Sequence, residues 1–68
     1  METLDERVNR ASFIDEYHHQ LDTLIYFDLV DVRRSEPTRG IRLLEKAIWR
    51  LTQIKKIAEE LQNIDNNE

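Results

Sequence analysis

The sequence contains no cysteine, one glycine and one proline. Without cysteine the chain can form neither a disulfide framework nor a thiolate metal site, and one glycine cannot build a glycine-rich phosphate loop. A sheet protein needs more turn residues than these. Charged residues make up 35% of the 68-residue chain, which is typical of helices with long solvated faces. The composition therefore predicts an all-α fold.

Long apolar runs are also missing. No stretch approaches the roughly 18 residues of a membrane span, and residues 1–6 are acidic where a secretory signal would be basic. We therefore expect a cytoplasmic protein without a membrane partner. Ser12 and Ser35 lack a matching arrangement of histidine and carboxylate, so we expect no catalytic residue, no enzymatic activity and no cofactor.

Apolar residues recur at three- and four-residue steps through two long stretches of the chain. The first stretch predicts a helix over about residues 3–34, which begins at a capping box of Thr3 and Glu6. The second predicts a helix over about residues 41–63.

The turn between these helices is predicted at residues 35–40, which contain the only proline and the only glycine of the chain. Residues 64–68 lose helix propensity, so we expect a frayed tail. The sequence thus predicts a single helical-hairpin domain over residues 1–68.

Antiparallel packing about this turn would bring apolar residues of the two helices together in a seam. The predicted pairs along this seam include Leu21 with Leu51, Ile25 with Ile48, Leu29 with Leu44 and Val32 with Ile41. A second apolar stripe then remains on the first helix, displaced from the seam by about 100° or more. We expect this stripe to form a homodimer interface in a coiled-coil-like four-helix bundle, together with a polar layer at His18. The predicted interface residues are Phe13, Tyr17, His18, Leu24 and Phe27.

Charge is sorted along the chain. Residues 1–32 contain eight acidic and two basic residues, whereas residues 33–56 contain eight basic and two acidic ones. The turn end of a hairpin would therefore be basic and its open end acidic, which favours a dimer with the two turns at opposite ends.

Trp49 is predicted to lie outside the seam, on a basic face of the second helix. Tryptophan and arginine are enriched at binding hot spots, and an aromatic among cations can also stack on a base while the cations hold phosphates. The leading hypothesis is a small non-enzymatic regulator or adaptor that docks a protein partner here. The alternative is an RNA- or DNA-binding hairpin dimer, and a third possibility is an ordinary solvated face. The residues proposed for partner binding are Arg42, Lys46, Trp49, Gln53 and Lys56.

A metal-binding helical bundle is a further alternative. Glu16 and His19 have the i, i+3 spacing that di-iron bundles use, and three more polar residues lie near them. The positions expected opposite supply no carboxylate, so a structural role for His18 is favoured over metal binding. The candidate ligands are Asp15, Glu16, His18, His19 and Asp22.

Overall fold

The computed structural model describes residues 4–66, which form two antiparallel helical arms and no strand. The first arm consists of an α-helix at Leu4–Thr23, a π-helical turn at Leu24–Asp28 and a second α-helix at Leu29–Arg34. The second arm is one α-helix, Ile41–Asn66. The all-helical prediction is therefore confirmed. Thr3 of the predicted capping box lies outside the described residues, as do residues 67 and 68.

The π-helical turn interrupts the α-helix predicted over about residues 3–34. It is marked by the hydrogen bond that the Leu29 N–H donates to the Leu24 carbonyl. β-branched and aromatic residues, which fit an α-helix less well than unbranched ones, make up most of this stretch. The chain nevertheless stays helical through it, as expected. At the other end, the second arm continues to Asn66, beyond the predicted end at about residue 63.

The connection between the arms is a hydrogen-bonded turn. Ser35 has extended dihedral angles, and its hydroxyl donates to the carbonyl of Asp31 at 2.8 Å. The carbonyl of Glu36 then accepts from the N–H groups of Arg39 and Gly40 at 3.0 and 2.8 Å. Because these bonds close the turn tightly, the second arm can begin at once at Ile41.

The core is a single seam between the arms. Leu24, Ala47 and Ile54 are buried there, and Tyr17 and Leu21 pack against them. On the second arm, the half-buried residues Leu43, Arg50 and Ile57 continue the same three- and four-residue spacing. Near the open end, Arg10 Nε lies 3.0 Å from Asp65 Oδ1.

This seam differs from the predicted one, which was wrong in its choice of face. Six of the eight aliphatic residues named for that seam are exposed, and Ile48 retains 62% of its accessible surface, whereas Leu21 and Val32 are half-buried. Except for Ile41, which begins the second arm, each of these exposed residues directly follows a seam residue. The seam is therefore rotated by about 100° on each arm from the predicted one. The exposed residues are Ile25, Leu29, Ile41, Leu44, Ile48 and Leu51.

The hairpin is one helix thick, with Cα extents of 52 × 17 × 11 Å, and so has two broad sides. In antiparallel arms, the residues that follow seam positions point to one side and the residues that precede them point to the other. We call the first side the aliphatic face; it is defined by the six exposed aliphatic residues above. We call the second the Trp49 face, defined by Arg42, Lys46, Trp49, Gln53 and Lys56. Within residues 4–66, no helix is long and apolar enough to cross a membrane.

Candidate functional site

A buried carboxylate lies beneath the Trp49 face. Asp28 is the last residue of the π-helical turn, and its side chain retains 1% of its accessible surface. Arg50 Nε donates to Asp28 Oδ2 at 2.9 Å, while Lys46 Nζ lies 3.6 Å from Asp28 Oδ1. Asp28 Oδ1 has no hydrogen-bond partner in the described part of the chain. Burying a carboxylate so far from water is costly unless it is paired, and here both neighbouring cations come from the opposite arm.

Arg50 connects this carboxylate to the surface. In addition to the bond to Asp28, its Nη1 donates to Gln20 Oε1 at 2.8 Å, so the guanidinium is fixed from two directions on the first arm. The same guanidinium lies 5.0 Å from the centre of the Trp49 ring. The fixed guanidinium therefore lies against one side of the indole and restrains it, although 53% of the Trp49 surface is exposed.

A groove of about 220 Å³ lies beside the indole, between the two arms. Phe13 and Ile57, both half-buried, give it apolar walls, and amide and charged side chains surround them. Its residues are Phe13, Glu16, Gln20, Trp49, Gln53, Lys56, Ile57 and Glu60. An apolar hollow with polar groups at its rim, next to a fixed indole, can receive an apolar side chain of another molecule.

The five residues predicted for partner binding therefore do not all meet at one place. Trp49, Gln53 and Lys56 line the groove, whereas Lys46 leans over Asp28. Arg42 lies in a separate hollow of about 660 Å³ at the turn, with Thr38, Arg39, Ile41 and Glu45. All five residues of that hollow are exposed.

The residues predicted for the dimer interface are also separated. Leu24 is buried in the seam, Tyr17 packs against it, and Phe13 is half-buried at the groove. These three contribute to the interior of one chain, which corrects the expectation that they have nothing to pack on there. Phe27 precedes Asp28 and is 66% exposed on the Trp49 side. His18 is exposed on the opposite side, and the centroids of its ring and the Tyr17 ring are 5.7 Å apart in an edge-to-face arrangement.

The candidate metal ligands do not form a site. Among the described residues, no group of three or more histidine, aspartate or glutamate side chains is placed to hold an ion. Glu16 instead accepts a hydrogen bond from Gln20 Nε2 at 2.7 Å and lines the groove.

Sequence reasoning overlooked Asp28 and Gln20 as site residues, and it did not pair Arg50 with Asp28. A usable signal was present in the sequence. Asp28 lies four residues after the core residue Leu24, and Arg50 lies between the core residues Ala47 and Ile54 at the same three- and four-residue spacing. Two residues of opposite charge at core positions of facing helices indicate a buried pair.

Comparisons of the chain with protein-family models, with curated proteins and with solved structures found no match. The functional interpretation therefore depends on the geometry of the groove and of the two broad faces.

Proposed function

We propose that this protein is a small, non-enzymatic, homodimeric interaction protein, a regulator or adaptor that docks a protein partner on its Trp49 face. The observation that carries the proposal is the indole of Trp49, half exposed at the edge of an apolar groove and contacted by the fixed guanidinium of Arg50. A large side chain that is already ordered loses little conformational entropy when a partner covers it. Such residues are the ones that dominate binding energy at protein interfaces.

The groove suggests what the partner presents. Phe13 and Ile57 offer an apolar surface large enough for one aliphatic or aromatic side chain. Lys56, Glu16 and Glu60 place both signs of charge at its rim. An apolar anchor flanked by polar or charged groups fits this arrangement, as in the usual division of an interface into an apolar centre and a polar rim. We therefore favour a partner that inserts one apolar side chain beside Trp49.

Charge on the same face argues against nucleic acid as the partner. Arg50 is engaged with Asp28 and Gln20, and Lys46 lies against Asp28, so one carboxylate already offsets part of the positive charge of this face. Glu16 and Glu60 would face any phosphate backbone that approached the groove. Because nucleic-acid affinity depends on neutralising phosphates with free cations, this side of the hairpin suits it poorly.

The test is affinity capture from the cells that make the protein. Wild type is compared with Trp49→Ala and with Tyr26→Ala, in which another exposed aromatic residue is removed. Each capture is run with and without nuclease. We expect a protein that wild type and Tyr26→Ala retain, that Trp49→Ala loses, and that nuclease leaves in place. Recovery of a bound nucleic acid, with all proteins released by nuclease, would assign the face to the alternative class.

A further inference from the structure

The aliphatic face has no cover within the described chain. Its six aliphatic side chains are each about half exposed, although they lie at the same three- and four-residue spacing as the seam. Soluble monomers rarely expose a contiguous apolar patch of more than a few hundred Å². Folded domains also bury such faces between two layers of secondary structure, and this hairpin is a single layer.

We propose that a second copy of this chain covers the aliphatic face, with the turns of the two hairpins at opposite ends. This inference rests on the homodimeric part of the proposed function but uses residues different from those of the Trp49 face. A two-fold axis would run across the hairpin, at the level midway between Ile25 and Leu29. On the second arm the same level lies midway between Leu44 and Ile48, since Lys46 reaches Asp28 from there.

The spacing of the aliphatic residues makes the face complementary to itself. Rotation about this axis sets Ile25 against Leu29 of the second copy and Leu44 against its Ile48. Ile41 then meets Leu51 of the second copy at the edge. Each contact occurs twice, as a two-fold interface requires. The result is a four-helix bundle in which the first arms pack on each other and the second arms do likewise.

Charge selects this arrangement over one with both turns at the same end. Arg33, Arg34 and Arg39 are exposed at the turn, so adjacent turns would bring arginines from both copies together. With turns at opposite ends, these arginines lie near the exposed Asp15 and Asp22 of the other copy. The pairs are exposed and contribute little to affinity, but they favour one orientation over the other. Both Trp49 grooves remain on the outside of the dimer.

Sedimentation equilibrium tests the interface. Wild type is compared at micromolar concentration with Ile48→Glu and with Thr52→Glu, which adds the same charge at an exposed position outside the face. We expect dimers for wild type and Thr52→Glu, and dimerisation weakened by about a hundredfold or more in Ile48→Glu, which buries two unpaired carboxylates in the dimer. A monomeric wild type, or an Ile48→Glu chain that remains fully dimeric, would overturn the proposal.

The orientation is tested by one spin label, because the chain has no cysteine of its own. Gln62→Cys places a nitroxide at an exposed position near the open end. At 1.5 Å per residue, the proposed axis separates the two labels by about 50 Å, whereas turns at the same end would bring them within about 20 Å. The short distance would overturn the proposed arrangement. This measurement also decides the matter if Ile48→Glu fails to fold.

These experiments contain no partner, so their failure would leave docking at Trp49 untouched. Conversely, an intact dimer whose Trp49→Ala variant captures the same proteins as wild type would contradict only the docking part of the proposed function.

Discussion

Arg50 Nε donates to Asp28 Oδ2 at 2.9 Å, across the seam between the arms, and it is this bond that accommodates a carboxylate in the core. Arg50 retains 15% of its side-chain surface and Asp28 1%, so water competes little for either group. Breaking a buried pair by removing one partner leaves an uncompensated charge, whereas replacing both partners removes the desolvation cost as well.

This relationship predicts opposite outcomes for two variants. Arg50→Ala should lower the free energy of unfolding by about 3 kcal/mol, because Asp28 stays buried with only Lys46 nearby. The double variant Asp28→Leu with Arg50→Leu should be about as stable as wild type, or more stable. Urea denaturation followed by circular dichroism measures both, at one fixed protein concentration because dimerisation would add to the apparent stability.

Lys46→Ala is the matched control for this experiment. Its amino group lies 3.6 Å from Asp28 Oδ1, but its side chain is more than half exposed. We expect a loss of less than about 1 kcal/mol. If Lys46→Ala proved as damaging as Arg50→Ala, the pairing of Asp28 would have to be reassigned to the lysine.

Removing Trp49 should leave the fold intact. The indole is half exposed, and its contact with a guanidinium at such a site contributes about 0.5 to 1 kcal/mol. Trp49→Ala should therefore retain the helix content of wild type and lose no more than about 1 kcal/mol of stability, as measured by circular dichroism and thermal unfolding. A collapse of helix content would show that Trp49 is a structural residue, and loss of capture could then no longer be attributed to docking.

Gly40→Ala should destabilise the turn. Gly40 is buried, and a Cβ there would lie 3.3 Å from the Glu36 carbonyl oxygen and 3.4 Å from Ser35 Cβ. That oxygen cannot move away freely because it accepts from the N–H groups of Arg39 and Gly40. We expect a loss of about 1 kcal/mol in unfolding free energy. Thr38→Ala, at an exposed position in the same turn, should leave the unfolding free energy nearly unchanged. If both variants lost the same unfolding free energy, the Cβ contact at position 40 would not be the cause.

The helices and the turn could be predicted because they depend on local signals. Apolar residues recur with the period of a helix throughout both arms, and Pro37 and Gly40 mark the only interruption. These signals do not depend on which face of each helix forms the seam. The π-helical turn at Leu24–Asp28 was not predictable in the same way, since its β-branched and aromatic residues suggest only a poor fit to an α-helix.

The choice of seam could not be made by counting apolar residues. The stripe containing Ile25 and Ile48 is more uniformly aliphatic than the true seam, which includes Asp28 and Arg50. The polar pair is acceptable in the interior only because the two charges meet, and that meeting depends on how the arms align. The groove beside Trp49 follows from this alignment as well, because its walls come from both arms.

The response of partner binding to salt distinguishes the two classes of partner. Three basic residues of the Trp49 face, Arg42, Lys46 and Lys56, are exposed. If they bound three phosphates, affinity would fall by roughly fortyfold between 50 and 200 mM salt, at a slope of about 0.9 per phosphate. A protein partner centred on the indole would lose much less, since salt then acts mainly on the association rate. We expect this second, weaker dependence in titrations of the captured partner.

Two variants complete the comparison. Trp49→Ala should weaken binding by about thirtyfold, equivalent to about 2 kcal/mol, because it removes the apolar group at the centre of the interface. Arg42→Ala combined with Lys46→Ala should change the affinity by less than about fivefold, since Arg42 lies in the separate hollow at the turn and Lys46 lies against Asp28. Binding to a phosphate backbone would depend on the two cations more than on the indole. A large loss of affinity in the double variant, with little loss of affinity in Trp49→Ala, would therefore contradict docking at the groove.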